Sequence, residues 1–436
     1  MNENAFNHSL FSFLKASSSP FHAVSHMAER LLHAGFMHLH EEQFWTLEQG
    51  KSYFLIRDNG GLIAFNLGSA VTREDGFRML AAHSDSPCLQ IKPRAEKLTG
   101  SYLQLGVEVY GGPLFGPWFD RDLSLAGRVC CQLADGSLQV FLVDFARPLV
   151  VIPSLALHFD RTANEGKTIN AQNHLVPLIA QSLDNQLPDF PSLLKGQLAG
   201  QYPAAAVKEI LGFDIFCYDT QKPSFLGINQ EFISSGKLDN LLSCHAAMSA
   251  LIKDDKRHNS LFFCANHEET GSVSTTGAQG AFLDSVLERL LPDPQIRRMA
   301  LHRSFLISID NAHAHHPNYH DTADPQHEIV LNRGPVIKIN AKQRYATNSI
   351  SSSIFKLLAG EADIAVQEFV MRSDMACGST IGPLTAARLG VQTVDIGAPT
   401  LAMHSIRELT GSKDPHLLYR SILQFLNTNT DFRPGR

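Results

Sequence analysis

Beyond residue 230 the chain alternates short apolar runs with helix-forming stretches, and this rhythm limits the fold more than any other feature. The runs L-F-F-C-A (261–265), F-L-I-S-I (305–309), P-V-I-K-I (335–339) and Q-T-V-D-I (392–396) read as buried strands. Residues 241–252, 281–291, 349–359 and 415–427 carry helical spacing. Such alternation predicts an α/β fold, a mixed sheet covered by helices. Residues 78–82 (R-M-L-A-A) have the same buried character, and 53–57 and 61–67 add strand candidates. An early helix is also marked: Ser19 can cap it, Pro20 suits its first position, and Gly35 lies past its end. Val24, Met27, Leu31 and Leu32 give that helix one apolar face.

Residues 89–230 differ. V-E-V-Y-G-G-P, L-A-G-R-V-C-C-Q-L, S-L-Q-V-F-L-V and P-L-V-V-I-P are short apolar runs broken by Gly, Asp and Pro, the pattern of an antiparallel β module. A-Q-N-H-L-V-P-L-I-A, near its end, reads as a helix or a loop–helix junction. A chain of 436 residues exceeds one ordinary core. The expectation is therefore one α/β domain, residues 1–88 and 231–436, interrupted by a β-rich insertion at 89–230.

Bulk properties narrow the function. Hydrophobic content of 44% with 18% charged residues is globular, and a net charge of -6 argues against nucleic acid or an anionic membrane as the main partner. Seven cysteines without a C-x-x-C pair suggest reduced thiols. Neither a signal peptide nor a run of about 20 apolar residues is visible. A cytoplasmic protein is expected.

Chemistry gathers where the predicted strands end. R-M-L-A-A leads into His83-Ser84-Asp85, L-F-F-C-A into Glu268-Glu269, F-L-I-S-I into Asp310, and the segment after the last strand into His404. Ligands of α/β sheets bind outside the carboxyl ends of strands. Asp239, in S-G-K-L-D-N-L, joins them at a helix start, where it could equally be a first-turn aspartate. Two histidines and three carboxylates exceed the needs of one tetrahedral zinc. They suit two divalent ions with a bridging carboxylate. Asp85, two residues past His83, can accept that ring's other N–H and fix its tautomer.

H-E-E-T-G-S resembles the H-E-x-x-H zinc helix only at its start. His267 and Glu268 are present, but Gly271 stands where the second histidine belongs. Adjacent residues of an extended segment face opposite sides, so one glutamate would bind metal and the other take a proton. The spacing does not say which. N-A-H-A-H-H-P-N-Y-H-D (311–321) reads as a substrate-facing loop or polar network rather than a separate metal site. Lys338, at the end of its strand, offers either a solvated strand end or a charge selecting an acidic substrate.

Taken together these segments resemble the aspartyl aminopeptidases, a cytosolic family of dinuclear zinc exopeptidases. The resemblance spans nearly the whole chain through S-P-F-H-A-V, A-H-S-D-S-P-C-L, G-G-P-L-F-G-P-W-F-D-R-D-L-S-L-A-G-R-V, I-P-S-L-A-L-H, L-D-N-L, H-E-E-T-G-S, H-A-H-H-P-N-Y, G-P-V-I-K-I-N, K-Q-R-Y-A and L-A-M-H-S-I-R-E. It implies a zinc-exopeptidase-like sheet with a dimerising β-rich insertion. It implies that His83 and Asp310 hold one ion, Glu269 and His404 the other, and Asp239 bridges, leaving Glu268 as general base. His313, Lys338 and Tyr345 match substrate-contacting positions, and His158 matches a histidine that reaches a neighbouring subunit's active site. The implied activity is removal of N-terminal Asp or Glu from peptides by a dodecamer. The implied ions are zinc, although oxygen-rich donors also accept manganese or cobalt. Asn266, commonly Asp in relatives, and D-M-A-C-G-S-T depart from the pattern without touching a proposed ligand. A deacylase, a broader aminopeptidase and a non-catalytic assembly protein are the competing readings.

Overall fold

The apolar runs pair side by side in the computed structural model, which describes residues 1–181, 189–430 and 432. Across the main sheet the order is Met37–His38, Ser52–Arg57, Gly61–Asn66, Ser260–Ala265, Arg78–His83, Phe305–Ile309, Gln392–Gly397, Val336–Ile339 and Gln367–Val370. The middle four, from Ser260–Ala265 to Gln392–Gly397, are mutually parallel, so their carboxyl ends share one edge.

Strand periodicity divides the core into two layers. Leu80, Ala82, Phe262, Cys264, Phe305 and Ile307 pack with Met27, Leu242, Ala246, Leu418 and Ile422 on one face. Their neighbours Met79, Ala81, Leu261, Phe263 and Leu306 pack with Phe282, Val286, Leu301 and Leu389 on the other. A side chain such as Leu80, wholly buried between strands and helices, would cost about 2–5 kcal/mol on truncation to alanine. Helix Pro20–His33 begins as its sequence requires: Ser19 accepts the His22 amide and Pro20 needs no partner for a missing N–H.

A second, six-stranded antiparallel sheet runs Leu138–Asp144, Leu123–Leu133, Val207–Asp219, Cys88–Thr99, Tyr102–Tyr110 and Leu178–Gln181. The A-Q-N-H stretch supplies only a short helix, Ala171–His174, before its last strand. Residues 182–188 of the β-rich stretch lie outside the described residues. Strand Ser224–Leu226 belongs elsewhere, pairing with Phe232–Ser235 in a third sheet that also holds Glu408–Gly411, Pro399–Leu401 and Ala312–His313. The chain thus rejoins the strands of the α/β body before residue 230.

Three helices had weak sequence signals for physical reasons. Pro294–Arg303 buries only Ala300 and Leu301, so it carries almost no apolar stripe. Ile381–Leu389 contains Gly382 and Pro383, which read as breakers. Phe190–Gln201 buries Phe190, Leu194 and Leu198 within a stretch read as strands. Among the described residues no helix is long and apolar enough to cross a membrane.

Candidate metal centre

Parallel pairing brings the carboxyl-end residues together. Ala265 stands in register with His83, and Ile309 with Ile396, so the segments carrying Glu268, Glu269 and Asp310 leave the sheet beside His83. His83 Nε2 lies 3.7 Å from Asp239 Oδ1, 3.7 Å from Asp310 Oδ1 and 3.9 Å from Glu268 Oε2. On the other side His404 Nε2 lies 3.6 Å from Asp239 Oδ2 and 3.5 Å from Glu269 Oε2. Asp239 therefore turns one oxygen to each histidine. Three overlapping groups result among the described residues, His83–Asp239–Asp310, Asp239–Glu269–His404 and His83–Glu268–Glu269, each close enough to surround a cation; the first two share Asp239 and use both histidines.

Asp239 is no helix cap. It lies within the span Leu238–Lys253 but has φ -82 and ψ 107, outside helical geometry, and its side chain faces the histidines. Nor is Asp310 a cap: Lys338 Nζ sits 3.3 Å from its Oδ2.

The donors fit a divalent cation. Asp239 Oδ1 and Glu269 Oε1 are buried without a hydrogen-bond partner, which a polar atom tolerates only when something else satisfies it. Burial, then the charges of Asp310 and Glu269, pushes the Asp239 carboxyl well above the usual range. Burial lifts Glu269 likewise, against the pull of His83. Positive charge between them would relieve both. Burial would raise Asp310 too, but Lys338 and His83 outweigh it and hold it low.

The two glutamates are separated by a tight turn rather than by strand alternation. Glu268–Thr270 is a single 3-10 turn entered through His267 at φ 60 and left through Gly271 at φ 97. At three residues per turn, neighbours diverge by about 120°. Glu268 consequently faces the His83 side and Glu269 the His404 side. Burial drives the Glu268 carboxyl up to about 7, despite the opposing charge of His83. That suits a proton acceptor near neutral pH. His267 is occupied elsewhere, its Nδ1 within 2.8 Å of Ser274 Oγ.

Asp85, wholly buried, does more than its sequence position suggested. Its backbone carbonyl is 3.1 Å from His83 Nδ1 and its Oδ1 3.4 Å away, so the carbonyl is the nearer partner of the ring. The carboxylate accepts the amides of Glu268 at 3.2 Å and Glu269 at 3.1 Å, and the Tyr110 hydroxyl at 2.9 Å. Burial opposes its ionisation, yet these bonds and His83 hold the carboxyl low.

Glu408 was missed, although it stands four residues beyond His404. It is 2% exposed, and it accepts the Asp239 amide through Oε2 and the His404 amide through Oε1, each at 2.9 Å. Burial raises its carboxyl to about 8 against those bonds. Cations at the neighbouring cluster would favour its ionised form.

His313, Lys338 and Tyr345 line the same cleft, along with Arg344, Met403 and Thr380. Lys338 does not sit at the strand-end edge as expected. Its strand, Val336–Ile339, runs antiparallel to Gln392–Gly397, so only its start lies at that edge. Lys338 is 2% exposed and reaches the site by side-chain length, donating to the Asn311 carbonyl at 3.0 Å. His158 stands on the exposed turn Leu157–Phe159 and lines no part of this chain's cleft. A separate cavity, lined by Trp118, Asp144, Tyr218 and Lys237, touches the far side of Asp239 and Glu408 but none of the other clustered residues.

A mixed sheet whose parallel strand ends converge on paired histidine–carboxylate groups defines a metallopeptidase of the zinc-exopeptidase type. The chain belongs to the M18 family, described as "Aminopeptidase I zinc metalloprotease (M18)", whose pattern matches residues 13–425; it is a metal-dependent aminopeptidase. It is 52% identical over 408 residues to a "Probable M18 family aminopeptidase 2" of Pseudomonas paraeruginosa, covering 94% of this chain and 95% of that one. With the Azotobacter vinelandii protein of the same description identity is 50% over 422 residues, covering 97% and 98%. The chain in a cryo-EM structure of an Ape4 and Nbr1 complex superposes with a TM-score of 0.94 at 38% identity, covering 97% of this chain and 86% of that one. The S. cerevesiae mApe1 dodecamer gives 0.83 at 29% identity, covering 97% and 96%.

Proposed function

We propose that the chain removes N-terminal Asp or Glu from peptides, using two zinc ions and Glu268 as general base. The observation that carries the two-ion reading is Asp239, with one oxygen toward each histidine-bearing group. His83 and Asp310 would hold one ion, Glu269 and His404 the other, and Asp239 both. Divalent ions bound there would polarise the scissile carbonyl and acidify an attacking water.

The chain's own residues supply the rest. Glu268 takes the proton of the attacking water and delivers it to the leaving amine. Asp85 fixes the turn that aims Glu268, since both glutamate amides bind its carboxylate. Lys338 and Arg344 place positive charge in the cleft for an acidic side chain, with His313 and Tyr345 beside them. Such a chain works in the cytoplasm as a homo-oligomer. The dodecameric relative supports that assembly, as does the turn carrying His158, flanked by exposed Leu155, Leu157 and Phe159. His158 of the partner subunit would complete the cleft.

A panel of aminoacyl amides set against N-acyl amino acids tests the reading. Rapid cleavage of Asp- and Glu-amides, with slow turnover of neutral amides and of N-acyl compounds, is expected. Preference for N-acyl substrates would establish a deacylase, and equal rates on neutral amides would remove the acidic preference.

A further inference from the structure

Three consecutive residues at the end of strand Tyr102–Tyr110, in the six-stranded sheet, bracket the His404 side of the metal centre. The Tyr110 hydroxyl donates to Asp85 Oδ2, the oxygen that also accepts the Glu269 amide. Gly111 stands at φ 71, and a Cβ there would meet Glu269 Cβ at 3.0 Å and its carbonyl oxygen at 3.3 Å. The Gly112 carbonyl lies 3.0 Å from His404 Nδ1, and the Leu114 amide donates to the His404 carbonyl at 3.0 Å.

We propose that Tyr110-Gly111-Gly112 is a positioning element for the ion that Glu269 and His404 would hold. A carbonyl at His404 Nδ1 requires a proton on that nitrogen and leaves Nε2 unprotonated, its lone pair turned toward the cluster. Nε2 is the atom that faces Glu269 and Asp239. Glycine at 111 lets the backbone lie against Glu269, where any side chain would push the carboxylate away and a positive φ would add strain. Tyr110 acts one step further back, steadying the Asp85 oxygen that holds the Glu269 amide. Gly111 and Gly112 touch only the Glu269 and His404 half, whereas Asp85, which Tyr110 steadies, serves both halves. The β-rich stretch therefore forms part of the metal centre's framework as well as a separate sheet.

The inference rests on the two-ion reading. Zinc extraction from the full-length enzyme by a chromogenic chelator, followed as two equivalents, tests it in Gly111→Ala. Gly100→Ala is the control: its φ is 60, but no atom lies within 4 Å of its added Cβ, so it carries the backbone strain alone. In Gly111→Ala one equivalent is expected to leave roughly 10- to 100-fold more readily while the other holds as in the parent. Gly100→Ala should release both as the parent does. Identical release from Gly111→Ala and the parent overturns the proposal, as does equal weakening of both equivalents. Should Gly111→Ala not fold, Tyr110→Phe decides, with easier zinc release expected and unchanged release overturning. A parent holding a single ion would sink the two-ion reading alone. The proposal would then stand or fall on whether Gly111→Ala loosens that ion.

Discussion

Glu408 accepts the backbone N–H of Asp239 with Oε2 at 2.9 Å, while its Oε1 takes the N–H of His404 at the same distance. One buried carboxylate thus ties the proposed bridging ligand to a terminal one, 165 residues further along the chain (404 - 239). Replacing it by Gln leaves one acceptor oxygen and turns an NH2 group onto the other amide, donor against donor. Glu408→Gln should weaken zinc binding by roughly 10- to 100-fold, the usual scale for residues that orient metal ligands. Isothermal titration of the metal-stripped variant checks this; parental affinity would show that the amides hold their places unaided.

The two adjacent glutamates separate by assay. Glu268→Gln should keep the full complement of zinc and lose roughly 10²- to 10⁴-fold in kcat, the range attributed to a general base. Glu269→Gln should instead lose zinc, because its partner is His404 across the centre. Metal analysis and hydrolysis of an Asp-peptide, run on the same preparations, distinguish the two. The reverse pattern would exchange their roles.

Glu268 also predicts a pH profile. Burial places its carboxyl near 7, and a proton acceptor works only when ionised. Activity should therefore rise with pH through an acid limb. Bound cations favour the carboxylate, so the limb falls at or below about 7. In Glu268→Gln the residual rate should lack it. A limb that persists in that variant belongs to another group.

The segments that meet at the candidate centre were legible because four of them follow apolar runs that read as strands. His83, Glu268, Glu269 and Asp310 follow from the rule that strand ends converge; His404 comes instead after Pro399–Leu401, a strand of the third sheet. Asp239 was ambiguous, since a helix start and a ligand present the same local pattern, and only the backbone distinguishes them. Alternation was the wrong reason for separating the glutamates: the turn Glu268–Thr270 does it. Glu408 and Gly112 were invisible for a different cause. Their contacts run through backbone amides and carbonyls, as between His404 and Gly112, 292 residues apart. Main-chain partners leave no residue-type signal. Lys338 was misplaced because the direction of Val336–Ile339 depends on the sheet order, which its own sequence does not encode.

That direction sharpens the test of acidic preference. Lys338 is buried and 3.3 Å from Asp310 Oδ2, so its charge is already shared with a proposed ligand. Removing it could weaken substrate recognition, metal retention, or both. Lys338→Ala should lower kcat/KM for Asp-amides at least tenfold more than for Ala-amides, because a charge-assisted hydrogen bond is worth about 1.5–3 kcal/mol. Assaying with saturating zinc removes the contribution from Asp310. An equal loss on both substrates, present without added zinc and absent at saturation, would make Lys338 a partner of Asp310 only. The acidic preference would then have to come from Arg344, whose Nε reaches the carbonyls of Cys377 and Gly378 at 3.3 and 3.4 Å on the cleft wall. Arg344→Ala, measured on the same pair of substrates, would then show the selective loss.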